Sequence, residues 1–309
     1  MDADCSDNFQ FPLKERPRLG MPTALREGHQ EVVRLLQKDL SLANRLISAL
    51  PAYERAMFIE HSELVELKPQ TVLTEAGQLS EHAYFPVEGF VSIILPVEQA
   101  HAPGLGIALV GNEGMCHTSL TLGVEISSFT SLVQGAGRAF KIHRNALRLR
   151  RAEDACLRTV LHRYVDVFAS LMAQQAACLH YHTVPQRLAR WLLVTRDRGH
   201  SRELFLTHET LGLMVGVRRE SVSQAASMFQ NHGLISYSRG YLMLLDEARL
   251  QAQACPCYRA DLMAYDRILT QPLKALEDNF PGRPPRSGAT LLQVDAAAQR
   301  SRLTQQPAR

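Results

Sequence analysis

The stretch from Thr207 to Asp246, THETLGLMVGVRRESVSQAASMFQNHGLISYSRGYLMLLD, constrains the fold more than any other in the chain. It holds two short helical patterns divided by a single glycine. In the first, Leu211, Met214 and Val215 form an apolar face, and the Thr207 hydroxyl can accept a bond from a first-turn N–H. Gly216 then supplies the left-handed backbone of a tight turn. The second pattern starts about Arg218, turns Val222, Ala225, Ala226 and Phe229 inward, and stops at Gly233. Leu234–Tyr237 and Tyr241–Leu244 follow as strand-like runs flanking Ser238-Arg239-Gly240, a turn signal.

Two short helices joined by a glycine turn form a helix-turn-helix, and the hairpin after them forms a wing. In that arrangement the second helix enters the DNA major groove and reads bases from its N-terminal part. Arg219, Glu220, Ser223 and Gln224 occupy its first turns, opposite the apolar stripe. Their chemistry fits base edges: an arginine fork on guanine, a glutamate accepting from the cytosine amine, a glutamine on adenine. Arg239 at the wing tip suits a phosphate. The predicted DNA-facing set is Thr207, Arg218, Arg219, Glu220, Ser223, Gln224 and Arg239. Residues 183–240 carry eight arginines against four acids, a local surplus in a chain whose formal net charge is only +3. Any basic footprint is therefore local.

Upstream the texture differs. From Lys68 the runs TVLTEAG, AYFPVEG, FVSIILP, GLGIALVG and SSFTSLVQGAGRAFKI are short, β-branched and punctuated by glycine, as in an all-β roll or barrel. LANRLISALPAYERAMFIEHSELVEL before them has helical spacing broken at Pro51, and REGHQEVVRLLQKD offers a further short helix. After the roll, Leu157, Leu161, Tyr164, Phe168, Leu171, Gln175 and Cys178 recur at alternating steps of four and three. Such a stripe suits a helix packed on its own domain or a coiled-coil seam. Its narrowness and its place between two domains favour a partner helix, with Gln175 fixing the register. Pro185 opens the next helix, Arg202–Thr207 reads as a short strand, and the Pro-, Gln- and Arg-rich end after about 270 reads as mostly disordered.

The resulting expectation is an α+β chain: an N-terminal extension (1–40), a β-roll (41–150), a long dimerisation helix (151–182), a winged helix-turn-helix (183–258), and a C-terminal helix with tail (259–309). The six cysteines, Cys5, Cys116, Cys156, Cys178, Cys255 and Cys257, form no paired ladder, which predicts a reducing, cytoplasmic setting. The acidic start MDADCSDNFQ does not read as a signal peptide. The longest stretch without Asp, Glu, Lys or Arg, Val167–Gln186, holds three glutamines, two histidines and a proline, so no membrane span is expected.

The run LTHETLGLMVGVRRESVSQAASMFQNHGLISYSRG, together with the order of parts, resembles the Crp/Fnr family of bacterial transcription regulators, named after the cyclic-AMP receptor protein. The resemblance covers residues 45–258, most strongly 183–245. It implies a cyclic-nucleotide-binding-like jelly roll, a homodimer on a palindromic site of double-stranded DNA, and RNA polymerase as a partner. It places Arg219, Glu220 and Gln224 on the family's base-reading positions. The family commonly has Arg at the third, so Gln224 implies a different half-site.

The resemblance also raises the matter of cofactors. Members that bind cyclic nucleotides use a Gly-Glu pair for the ribose and, soon after, an Arg for the phosphate. Gly111, Glu113 and Gly114 resemble the glycine turn upstream of that cassette, but residues near Cys116, His117 and Thr118 stand where Gly-Glu should follow. No Arg or Lys lies between Thr118 and Gly137, and a buried uncompensated phosphate costs several kcal/mol. Cyclic AMP and cyclic GMP are therefore expected not to bind. Oxygen-sensing relatives cluster three thiols near the N-terminus, where this chain has only Cys5, so no iron–sulfur cluster is expected.

No metal site is expected either. Cys255 and Cys257 lack a third ligand in sequence, and His180 and His182, two apart on a helix, diverge. A competing class is a roll that binds a ligand or metal, such as a cupin-like enzyme using His82, His101 or His117, with a helical part that does not bind DNA. Without a close-spaced ligand pair and carboxylate, that class is the weaker one, and no enzymatic activity is expected.

Overall fold

The computed structural model describes residues 40–97 and 104–269. The expected helix at 26–39, the tail from 270 and His101 lie outside the described residues. The chain first forms α1 (Arg45–Ser48) and α2 (Ala52–Glu60), separated by Pro51. Asn44 caps α1, its side-chain oxygen accepting from the Leu46 and Ile47 amides. Its Nδ2 donates to the carbonyls of Pro86 at 2.8 Å and Gly114 at 2.9 Å, so the cap also ties α1 to the roll.

The roll is a five-stranded antiparallel sheet. β1 (Glu63–Leu67), β5 (Thr130–His143), β3 (His82–Leu95) and β4 (Leu105–Val110) lie in that order, with β2 (Val72–Thr74) also paired to β5. The runs AYFPVEG and FVSIILP belong to one 14-residue strand, β3, bulged about Glu88 and Phe90. Gly89 makes this possible: its φ is +72°, and a side chain there would strike the backbone oxygens of Gly135 and Ala136. Val91, Ile93, Val110, Val133 and Ala139 fill the interior.

α3 (Arg144–Glu153) leads to α4 (Ala155–Tyr181), a 27-residue helix capped by Asp154. Here the structure corrects the sequence. Leu157, Leu161, Tyr164, Phe168, Leu171, Gln175 and Cys178 do not face a second chain; all are buried within this one. Phe168 joins the roll core, and Tyr164 lies against Gly114. Gln175 donates to the Gly106 carbonyl at 3.2 Å and accepts from Arg190 Nη1 at 2.6 Å. The apolar stripe is a packing face for the chain's own domains. Its period shows that one side of α4 is covered, and not by what.

α5 (Val184–Gly199), β6 (Glu203–Phe205), α6 (His208–Val215), α7 (Arg219–Asn231), β7 (Ile235–Ser238), β8 (Tyr241–Leu244), α8 (Glu247–Gln253) and α9 (Cys257–Leu269) complete the described chain. Gln186 accepts from the Thr183 amide to close the start of α5. The second sheet runs β6-β8-β7. Trp191, Leu192, Val215, Val222, Phe229 and Leu242 centre its core, which Phe90 and Leu109 of the roll also enter. Glu113 of the roll forms an ion pair with Arg198 of α5 at 2.9 Å, both almost fully buried. Roll, central helix and winged region are therefore one packed body. Among the described residues no helix is long and apolar enough to cross a membrane.

Candidate nucleic-acid interface

α6 and α7 are set by local chemistry that the sequence shows directly. Thr207 Oγ1 accepts from the Thr210 amide at 3.0 Å and caps α6. Gly216, at φ +71°, ends α6 in the left-handed conformation that glycine adopts without strain. Val222, Ala225, Ala226 and Phe229 are buried under α7. This rigid underside leaves the opposite face in solvent.

That face carries Arg218, Arg219, Glu220 and Gln224, all exposed. Ser227 and Asn231 extend the row at steps of three and four and border a shallow groove with Gln224. The helical period from Gln224 points to both, although they lie beyond the first turns of α7. Ser223 is placed differently. It is half-buried, its Oγ lies 2.8 Å from His208 Nδ1, and it donates to the Arg219 carbonyl at 3.1 Å. His208 stacks on Tyr237 with ring centroids 4.4 Å apart, and the Tyr237 hydroxyl donates to the Leu206 carbonyl. The Ser223–His208–Tyr237 line braces α7 against α6 and the wing. Burial, with the Arg219 charge nearby, lowers the His208 pKa and favours the neutral ring.

The wing turn has two residues, Arg239 at φ +50° and Gly240 at φ +87°, between the paired Ser238 and Tyr241. Positive φ at both positions is the type I′ geometry that matches strand twist. It puts Arg239, exposed, at the tip. Beside it Phe205 and Tyr241 form an exposed edge-to-face pair with centroids 5.1 Å apart.

The arginine surplus divides in two. Arg187, Arg190 and Arg198 are buried, and Arg196 and Arg202 pair with Glu247. Arg218, Arg219 and Arg239 remain as the outward basic set. Counting charges along the segment therefore overstated its surface potential, since the acids that neutralise half of it lie outside the segment, as with Asp261 on Arg190.

The sequence also misjudged the cysteines. Cys255 and Cys257 do not stand alone: Cys178 and His182, at the end of α4, meet them, with all four ligand atoms within 4.8 Å of one another. His180 is exposed and takes no part, as its spacing implied. A hydrogen bond with Cys255, at a sulfur separation of 3.5 Å, brings the Cys178 thiol down to about 5. In the roll, His117 Nδ1 bonds the His82 carbonyl rather than its ring, and no such convergence of ligands occurs there among the described residues.

A winged helix-turn-helix with an exposed polar face on its second helix is the layout of a DNA-binding module, here joined to a β-roll through a long central helix. Residues 186–253 match the family model of the Crp-like helix-turn-helix domain. Several solved regulators share the wider fold. The c-di-GMP-responsive global regulator CLP of Xanthomonas campestris is 17% identical, with a TM-score of 0.53 over 63% of this chain and 99% of that one. Two Thermus thermophilus regulators behave alike. TTHB099 is 19% identical over 62% of this chain and 96% of its own, and TTHA1359 is 22% identical over 62% and 98%, each with a TM-score of 0.53. No curated protein matches the sequence. Residues 186–253 are thus similar to the Crp-like helix-turn-helix domain, and the wider fold is similar to that of these solved regulators.

Proposed function

We propose that the chain acts as a cytoplasmic homodimer on a palindromic operator, with α7 in the major groove and Arg239 of each wing on a phosphate. The observation that carries this is the exposed row Arg219, Glu220 and Gln224 on a helix whose other side is locked into the core. Such residues discriminate bases by bidentate contacts worth about 1–3 kcal/mol each. Dimerisation is assigned to the free side of α4. There His162, Asp166, Ala169, Ala173, Ala176 and His180 are exposed and recur at steps of four and three. Small side chains at the centre of that stripe let a second α4 approach closely, and the 3.5-residue period fits a coiled-coil partner.

Cyclic AMP is not its effector in this proposal. The roll cavity lined by Ile93, Met115, His117, Ser127, Phe129 and Ser131 measures about 50 Å³. Small-molecule pockets run to roughly 300–1,000 Å³. The lining adds only hydroxyl and apolar side chains to the histidine, so no fixed cation faces a phosphate. RNA polymerase is the partner proposed downstream of DNA binding, and no reaction is assigned to the chain.

Selection of bound sites from random duplex DNA tests the proposal. Two inverted half-sites about one helical turn apart are expected. A selected motif with no internal symmetry, or none at all, would overturn it.

A further inference from the structure

The four ligands at the end of α4 are not explained by DNA binding. Cys178 and His182 stand one helical turn apart, where α4 ends. Cys255 and Cys257 flank Pro256 where the chain passes from α8 into α9, the segment that returns after the wing. The fold thus brings together two distant pairs: Cys178 lies 77 positions before Cys255, and His182 lies 75 before Cys257. Cys178 and Cys255 sulfurs are 3.5 Å apart, as are Cys257 Sγ and His182 Nδ1. Zinc bonds of about 2.3 Å to sulfur and about 2.0 Å to nitrogen give a tetrahedron with edges of roughly 3.5–3.8 Å. Two observed edges already have that length, and the longest, at 4.8 Å, needs about an ångström of closure.

The surroundings point to a ligand rather than to thiols packed as small hydrophobes. Gln174 Nε2 donates to Cys257 Sγ at 2.9 Å, as a partner orienting a thiolate does. Arg187 is buried with its Nε unpartnered, and its electrostatic neighbours are Cys178 and Cys255. Three thiolates, a neutral imidazole and a divalent ion sum to one negative charge, which a buried guanidinium balances.

We propose that Cys178, His182, Cys255 and Cys257 bind zinc in a closed, structural tetrahedral site. Three sulfurs and one nitrogen suit zinc, and four protein ligands leave no position open for substrate. Zinc uptake displaces the remaining thiol protons to solvent. The ion clamps the end of the central helix to the segment after the wing, closing a loop that contains the whole helix-turn-helix. It thereby fixes how the reading helix is carried on α4. The site stands independently of the DNA-binding proposal, since its assay contains no DNA.

The test uses the full chain purified under reducing conditions without chelator. Elemental analysis is expected to find one zinc per chain, and cobalt exchange to give thiolate charge-transfer and intense tetrahedral ligand-field bands. Cys255→Ser with Cys257→Ser should lose the metal. Cys156→Ser, 22 residues or roughly 33 Å before Cys178 on the same helix, should keep it. If the double variant aggregates, the cobalt spectrum of the unaltered chain decides. Absence of zinc together with no tetrahedral cobalt bands would overturn the proposal. So would zinc retained by a folded double variant, or a Cys178–Cys255 disulfide in the purified chain.

Discussion

The ion pair between Glu113 and Arg198 joins the roll to α5, and breaking it tests whether the two are packed as one body. Both side chains are almost fully buried. Glu113 Oε1 also accepts from the Gly111 amide at 3.0 Å and lies within 3.4 Å of the Tyr265 hydroxyl. Arg198 lies over the Tyr265 ring, 5.1 Å from its centre. Arg198→Ala leaves the carboxylate buried without its cation, which costs about 3–5 kcal/mol, or roughly two to three and a half orders of magnitude in the unfolding constant. Glu113 Oε2 has no partner even in the intact protein, so the pair is imperfectly satisfied. Replacing both, as Glu113→Gln with Arg198→Met, should therefore recover most of the loss. The assay is urea unfolding followed by the fluorescence of Trp191, the chain's single tryptophan, which sits on α5. A loss below about 1 kcal/mol for Arg198→Ala would refute the reasoning, since exposed pairs have that value.

The remaining predictions concern the helix-turn-helix and α4. Thr207→Ala removes the cap of α6 and should lower stability by about 1 kcal/mol, read as a shift in the same unfolding midpoint. His208 has a lowered pKa in the folded state, so the unfolded chain binds more protons as pH falls through its ordinary value of 6.5. Its contribution is thus present above that pH and lost on acidification; His208→Phe should flatten the pH dependence of the midpoint, and an unchanged slope would contradict it. Ala173→Glu should give folded monomers by sedimentation. Leu161→Lys should instead unfold the chain by circular dichroism, because Leu161 is buried within it.

The helix-turn-helix was legible because each cue is local. Gly216 sits where the backbone turns left-handed, and Val222, Ala225, Ala226 and Phe229 space themselves by the helical period. The wing was legible from Arg239-Gly240, two residues between alternating strands. What was illegible depends on distant neighbours. Two stripes of α4 repeat at three and four, one through Leu161 and one through Ala173, and neither carries a label for what covers it. The apolar stripe has the period of a coiled-coil seam, yet the chain's own domains cover it. Arg190 and Arg198 look like surface charge in the sequence because Asp261 and Glu113 lie far away along the chain. The same distance hid the meeting of Cys178 and His182 with Cys255 and Cys257. His208 and Tyr237 escaped for a related reason: ring stacking between a helix and a wing has no sequence period.

The central claim is that α7 reads bases while the wing holds the backbone, and paired site selection with salt titration on Arg219→Ala and Arg239→Ala measures it directly. Arg219→Ala should weaken operator binding by about 1–3 kcal/mol and relax preference at one base pair per half-site. Arg239→Ala should weaken all sequences about equally and reduce the salt slope by about one counterion per subunit. If Arg219→Ala selects the same motif with the same discrimination as the unaltered chain, α7 is not the reading helix.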